Sequence, residues 1–272
     1  MSQSSFIEST LRNFARAFSR ALVSEQAAKQ PGLIQTLDPR VRVLGLLALV
    51  VSVVLCRRLG VVAAIWLLAV VIALASRVSF VTLATRVWLV VLLFTGIIAV
   101  PAIFLTPGTT IFSSPAWHLV VSLQGLRSAA MLVLRVEAAA TLTTILVLCT
   151  PWNQILKALR SLRLPVEVVA MLEMTHRYVF LLVETANQMF EARQSRTIGK
   201  LSGQEQRKIT ARTAGVLLGK SMELSHEVYL AMLSRGFNGE VHLMTNFRMK
   251  LRDYGALAAF LSAGAIAVWA GR

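Results

Sequence analysis

Few residues in this chain could do chemistry, and their spacing suits almost none of it. The four histidines, His118, His176, His226 and His242, show no metal-ligand spacing. There is no HExxH and no GxSxG, so the metalloprotease and hydrolase-nucleophile patterns are missing. Cys56 and Cys149 end two different apolar runs, which argues against a disulfide or a metal pair. The only aspartates are Asp38 and Asp253.

One segment imitates a nucleotide site. Residues 214–221 read Ala-Gly-Val-Leu-Leu-Gly-Lys-Ser, phosphate-loop spacing with Ala214 in the first position. Such a loop needs a buried strand before it and a helix opening at its Gly-Lys-Ser. Here residues 204–212, Gln-Glu-Gln-Arg-Lys-Ile-Thr-Ala-Arg, are polar and helical in pattern. A Walker-type site also wants an aspartate after an apolar strand to hold Mg²⁺, and neither Asp38 nor Asp253 fits. Arg135 and Glu137 are charges inside an apolar run, where charge is costly and often functional. Two residues apart on a helix, they face different ways and do not pair simply with each other. The expectation is that they snorkel near the outer end or pair with another helix.

The elements that must carry these residues are mostly built for lipid. Hydrophobic residues make up 56% of 272 and charged residues only 15%, against about a quarter charged in soluble domains. Residues 88–125 hold no Lys, Arg, Asp or Glu at all, whereas 151–250 are crowded with mostly basic charge. A spanning helix needs roughly 20 apolar residues. Spans are expected at 41–56, 59–76, 87–105, 129–150 and 254–270, the first two joined only by Arg57 and Arg58, with Pro101 near the end of the third. Residues 106–124, with Trp117 and His118, form a Pro/Gly/Ser/Thr loop suited to the interface. No cleavable signal peptide is visible before the first apolar run.

Orientation follows from loop Lys and Arg. The leader carries Arg12, Arg16, Arg20, Lys29, Arg40 and Arg42, the second loop Arg77 and Arg86, and the third loop none before Arg127. The N-terminus and the basic block are therefore expected inside. Arg57 and Arg58 are the exception. The net charge of +15 is read as cytoplasmic loops beside membrane spans, not as a nucleic-acid interface.

The fold class is all-α: a polytopic membrane protein with about five transmembrane helices and a cytoplasmic module of amphipathic helices. Its parts are a leader at 1–38, four spans at 39–150, the module at 151–250 and a final span at 251–272. Within the module, Pro151 and Pro165 bracket a short amphipathic helix with Ile155, Leu156, Leu159, Leu162 and Leu164 in its stripe. A long helical stretch then follows to about Arg196, with Met171, Met174, Tyr178, Leu182, Ala186 and Met189 recurring at three or four, a stripe read as ordinary packing. A third stretch, residues 204–235, has Ile209, Thr213, Val216, Leu217, Leu224, Val228, Ala231 and Met232 on its apolar face and Gly236 after it, where a helix C-terminus favours glycine. Gly215 and Gly219 have the GxxxG spacing that lets another helix approach, a weak signal as a single pair.

Three stretches resemble the transmembrane T component of energy-coupling-factor (ECF) transporters, especially the CbiQ branch for cobalt and nickel. They are residues 151–165 (Pro-Trp-Asn-Gln-Ile-Leu-Lys-Ala-Leu-Arg-Ser-Leu-Arg-Leu-Pro), residues 177–182 leading into Ala192-Arg193-Gln194-Ser195-Arg196-Thr197, and residues 228–240 around Ser234-Arg235-Gly236. Asp38-Pro39-Arg40 before the first span fits as well, and the likeness covers about residues 36–270. It implies a non-catalytic scaffold in a bacterial or archaeal cell inner membrane. This scaffold joins two cytoplasmic ATP-binding subunits to a CbiM-like membrane substrate-binding subunit for Co²⁺ or Ni²⁺ uptake. On that basis the chain itself holds no cofactor: ATP and Mg²⁺ belong to the ATPases, and the transported ion to the substrate-binding subunit. Two X-Arg-X motifs ending coupling helices would dock into the ATPases, here Ser195-Arg196-Thr197 and Ser234-Arg235-Gly236. The family often has glycine where Thr197 stands, which leaves Arg193 as a competitor to Arg196. Independently of the family, a guanidinium suits docking because its rigid fork of five donors grips carboxylates or carbonyls. The plainer role is a cation complementing a helix C-terminus. The T component of a vitamin importer is the nearest alternative. A membrane-integral lipid-modifying enzyme is another, but the chain lacks the clustered His, Asp or Glu it would need.

Because the Gly219-Lys220-Ser221 segment lacks its strand and its aspartate, Lys220→Ala is expected to leave ATP binding and hydrolysis by the assembled complex within a few-fold of wild type. Nucleotide binding by the purified chain alone that Lys220→Ala abolishes would overturn this expectation.

Overall fold

The computed structural model describes residue 32 and residues 34–105, 109–114, 119–162, 164–196, 202–237 and 249–272. The leader up to residue 31, Trp117, His118, Arg163, Thr197, Gly239, Glu240 and His242 lie outside the described residues. The helices are α1 (Pro39–Leu55), α2 (Leu59–Ala75), α3 (Leu89–Leu105), α4 (Leu123–Cys149), α5 (Trp152–Ser161), α6 (Val166–Arg196), α7 (Gly203–Ser234) and α8 (Leu251–Gly271). They fall into two compact units. One contains α1 to α4, most of α5, and α8; the other contains α6 and α7.

This is a helical membrane protein. α4 and α8 are long and apolar enough to cross a bilayer, and Leu59–Ala75 and Leu89–Pro101 are shorter apolar helices. Each of the five expected spans forms a helix, with two differences. α4 starts at Leu123, earlier than expected, because Ser122 caps it through its hydroxyl, which accepts from Gly125 N at 2.9 Å. The third span is reached through a short helical turn, Phe80–Leu83, and a π turn, Ala84–Trp88. Pro101 lies inside α3 and does not end it. Part of the uncharged loop pairs as an antiparallel hairpin, β1 (Thr110–Ser114) with β2 (Leu119–Ser122).

α4 is the central post, packed against α1, α2 and α3. Ala138, Leu142, Ile145 and Cys149, spaced at three or four, are fully buried on it. Thr141, on the same face, accepts a hydrogen bond from Trp88 Nε1 at 3.1 Å, and the Trp88 ring meets Trp66 of α2 at 5.3 Å. α8 runs beside α1 in the same direction. A Cβ on Gly45 would sit 2.6 Å from the ring of Phe260, and one on Gly264 would sit 2.7 Å from Ser52 Oγ. These two glycines let the α1 and α8 backbones approach closely, which is how helices associate where lipid supplies no hydrophobic drive between them.

The start of α1 is tied down by three buried charges, Asp38, Asp253 and Arg42. Asp38 caps the helix by accepting from Arg40 N at 2.9 Å, with Pro39 in the first turn. Asp253 accepts from Asp38 N at 3.0 Å and from Lys250 N at 2.8 Å, so one carboxylate joins the starts of α1 and α8. Arg42, one of the basic residues that set the orientation, has a side chain only 5% exposed. Its guanidinium donates to the carbonyls of Leu37 at 2.6 and 2.8 Å, Gln35 at 2.7 Å and Cys149 at 3.0 Å, and to Gln154 Oε1 at 3.3 Å. It therefore fastens the approach to α1, the end of α4 and the start of α5.

Arg42→Met keeps the apolar stem and leaves these carbonyls without a donor. Breaking a buried charged contact of this kind costs on the order of 3–5 kcal/mol. The expected result is a clearly lowered unfolding midpoint in detergent, with Arg42→Lys intermediate because it keeps the charge but loses the fork. An unchanged midpoint for both variants would show that the network does not hold the bundle.

Candidate functional site: two paired helices ending in arginine

α6 and α7 pack against each other within their own unit. Their amphipathic repeats bring Met174, Tyr178 and Leu182 of α6 opposite Leu224, Val228 and Met232 of α7. These residues line an open groove of about 370 Å³. The methionine stripe read as ordinary packing is thus partly a groove wall. Apolar side chains elsewhere on the pair also face outward, with Met222 69% and Met171 66% exposed. Exposed apolar surface on this scale, along two helices, marks a surface for another molecule.

The helix ends are built differently. α6 ends with Ser195 and Arg196, both exposed, after Arg193, so two basic side chains lie in its last turn. Ser195 Oγ donates to Ala192 O at 2.9 Å. α7 begins with a capping box: Ser202 Oγ accepts from Glu205 N at 3.3 Å, and Glu205 Oε2 accepts from Ser202 N at 2.9 Å. The hydrogen bonds from the Ser202 backbone and hydroxyl hold the Glu205 carboxyl below the ordinary carboxylate range.

At the other end of α7, Gly236 N donates to Leu233 O at 3.0 Å and Phe237 N to Met232 O at 3.1 Å. With Gly236 at φ +79°, this is a Schellman close. It sets Arg235 as the exposed residue at the turn, with Ser234 Oγ held by Ala231 O at 3.0 Å. The two arginine motifs thus terminate the two helices of one packed pair.

Gly215 and Gly219 lie along α7, and apart from the adjoining residues and local helix backbone no described atom comes within 4 Å of a Cβ built on either. Among the described residues the glycines at close helix approaches are Gly45, Gly264 and Gly271, the last with its Cβ position 2.8 Å from Cys56 Sγ. The phosphate-loop imitation falls in the middle of α7, where Ser221 Oγ turns back to Leu218 O at 2.8 Å. Arg135 and Glu137 separate as their spacing required. Arg135 Nη2 donates to Cys56 O at 2.7 Å, pairing with another element, as one of the expected readings had it. Glu137 is buried, and neither carboxyl oxygen has a hydrogen-bond partner among the described residues. Among these residues no group of three or more His, Cys, Asp or Glu could hold a metal ion. The sequence reading missed the buried roles of Arg42 and Asp253. The helix-start signal Asp38-Pro39 was visible, but nothing local in the sequence showed which neighbours close around these charges.

Residues 31–245 match the family described as cobalt transport protein, CbiQ. An uncharacterized protein of Methanocaldococcus jannaschii is 28% identical over 255 residues, covering 92% of this chain and 87% of that protein. The cobalt transport protein CbiQ of Rhodobacter capsulatus is 29% identical over 122 residues, covering 45% of this chain and 50% of that protein.

Glycine substitutions along α7 should have opposite signs. Gly236→Ala forces a Cβ into the left-handed region at about 1 kcal/mol, so hydrogen exchange of the last-turn amides should rise about fivefold. Gly219→Ala meets open space inside a helix and should stabilise α7 by roughly 0.5–1 kcal/mol. Exchange that slows in Gly236→Ala would contradict the cap geometry.

Proposed function

The chain belongs to the CbiQ cobalt transport protein family, and we propose on that footing that it is the coupling subunit of an ECF-type ATP-driven importer. In this reading it links two cytoplasmic ATPases to a CbiM-like membrane subunit that binds Co²⁺ or Ni²⁺. ATP and Mg²⁺ are handled by the ATPases and the transported ion by the substrate-binding subunit, so this chain catalyses nothing. It sits as a multi-pass protein in the cell inner membrane with its N-terminus and the α6–α7 pair inside.

The observation that carries this reading is the pairing of α6 and α7, each closed by an exposed arginine motif, along one open apolar groove. Two ATPases need two plugs, and Arg196 and Arg235 supply one per helix end. Arg193, three residues before Arg196, is the alternative first plug. A guanidinium at a helix C-terminus is already favoured there by the helix dipole, and its fork is left to meet carboxylates or carbonyls of a partner. Closure of the ATPases on ATP would then move the helix ends, and the long helices would pass that motion to the substrate-binding subunit.

Removing one side of a desolvated charged contact costs about 2–5 kcal/mol, and reversing its sign adds repulsion. Arg235→Glu should therefore strongly reduce cobalt or nickel uptake in cells, Arg196→Glu somewhat less, and the double variant should fail to retain the ATPases in a pull-down. The chain should still insert and fold, because both side chains are exposed. A double variant with full uptake and normal pull-down would overturn the assignment. A selective loss with Arg193→Glu would move the first plug to that residue.

A further inference from the structure

Arg42 marks one end of the span bundle; three other arginines gather toward the opposite end. There α1 passes into α2 through Cys56, Arg57 and Arg58, while α4 continues beyond that turn. Arg57 of the turn and Arg127 and Arg135 of α4 line a single open cavity of about 490 Å³. Residues 127, 131 and 135 follow one another at four-residue steps, so the two α4 arginines lie on one stripe with Met131 between them. Leu132 and Leu59 continue the apolar wall.

The cavity is electrostatically one-sided. Among the described residues no carboxylate lines it. The nearest acidic residue in sequence, Glu137, is buried on another face of α4. Arg135 already gives one N–H to Cys56 O, yet its Nε is buried with no hydrogen-bond partner among the described residues. Three cations that share one cavity, one of them holding an unused donor, repel each other and suit an anion with several acceptor oxygens.

The axial positions indicate which anion. At 1.5 Å per residue, Arg135 stands about 21 Å along α4 from Cys149, whose carbonyl Arg42 holds, and Arg127 about 33 Å. A hydrocarbon core is about 30 Å thick. α1 and α2, at 17 residues each, are about 25 Å long. Their connecting turn is therefore recessed below the membrane surface, while Arg127 reaches it. A short span is accommodated by local thinning of the bilayer, which brings headgroups down into the notch. Beside the notch, Val54, Leu55 and Val136 expose apolar surface on which acyl chains can lie.

We propose that this notch is a binding site for the phosphodiester headgroup of an anionic phospholipid, gripped by Arg57, Arg127 and Arg135, with its chains along Met131 and Leu132. The site also gives Arg57 a counter-charge, since bound anionic lipid neutralises it. The proposal needs no particular orientation of the chain and does not depend on the transport reading.

The test uses the full chain in detergent, delipidated and then offered phosphatidylglycerol, phosphatidylcholine or inorganic phosphate, with retained lipid read by native mass spectrometry and stability by thermal unfolding. Wild type should retain phosphatidylglycerol over phosphatidylcholine and gain stability from it. Each basic residue near a lipid surface contributes a factor of about five, so Arg57→Gln with Arg127→Gln should lower the preference roughly thirtyfold. Arg135 is left intact because it also holds the α1 terminus. Arg57→Lys with Arg127→Lys keeps the charge and should keep most of the preference, which separates loss of the site from loss of the fold. Equal retention of the two lipids by wild type, or an unchanged preference in the glutamine pair, would overturn the proposal. So would inorganic phosphate at millimolar concentration stabilising the chain as well as phosphatidylglycerol does, because the ligand would then be a soluble anion.

Discussion

Backbone groups at helix ends have no water to turn to inside a bilayer, so each must find a partner in the protein. At one end of the span bundle this is done by a pair of opposite charges with divided labour. Arg42, a cation, collects carbonyls: those of Gln35 and Leu37 before α1 and of Cys149 at the close of α4. Asp253, an anion, collects amides: those of Asp38 and Lys250 at the starts of α1 and α8. Neither charge is a surface feature. With both in place, helices far apart in sequence share one level, and the α4 post can bury Ala138, Leu142 and Ile145 against its neighbours. The opposite end uses the same device more sparingly, with Arg135 on the Cys56 carbonyl and the Arg57 amide on that of Gly271.

The two units differ in what they leave unsatisfied. The span unit closes its polar ends and packs α1 against α8 at Gly45 and Gly264, where a single added carbon would collide. The α6–α7 unit satisfies both ends of α7 with a capping box and a Schellman close, but leaves its apolar groove and terminal arginines exposed. Exposed apolar area is unfavourable in water unless something covers it. That contrast directs attention to the paired helices as a surface for another molecule.

Much of this was readable along the chain. Apolar runs announced five helices, two of them long and apolar enough to cross a bilayer, because length and composition are local properties. The three-and-four spacing of Met174, Tyr178 and Leu182, and of Leu224, Val228 and Met232, announced two amphipathic helices, and Gly236 announced the end of the second. Arg196 and Arg235 were visible as helix-terminal residues for the same local reason. The false phosphate loop could be dismissed from its polar approach, and it lies within a continuous helix.

Other assignments needed partners that the sequence does not name. Gly215 and Gly219 had the spacing of a packing motif and face open space, whereas Gly45 and Gly264, on two helices distant in sequence, make the close approach. Arg42 looked like one more basic residue of the leader and is a buried staple; Arg57, Arg127 and Arg135 looked unrelated and line one cavity. The sequence by itself determined the type, length and polarity of the helices, because periodicity and apolar length are local properties of the chain. Only the tertiary structure decided which charges are buried, which glycines touch and which arginines meet, because burial depends on the helix that arrives from elsewhere in the chain.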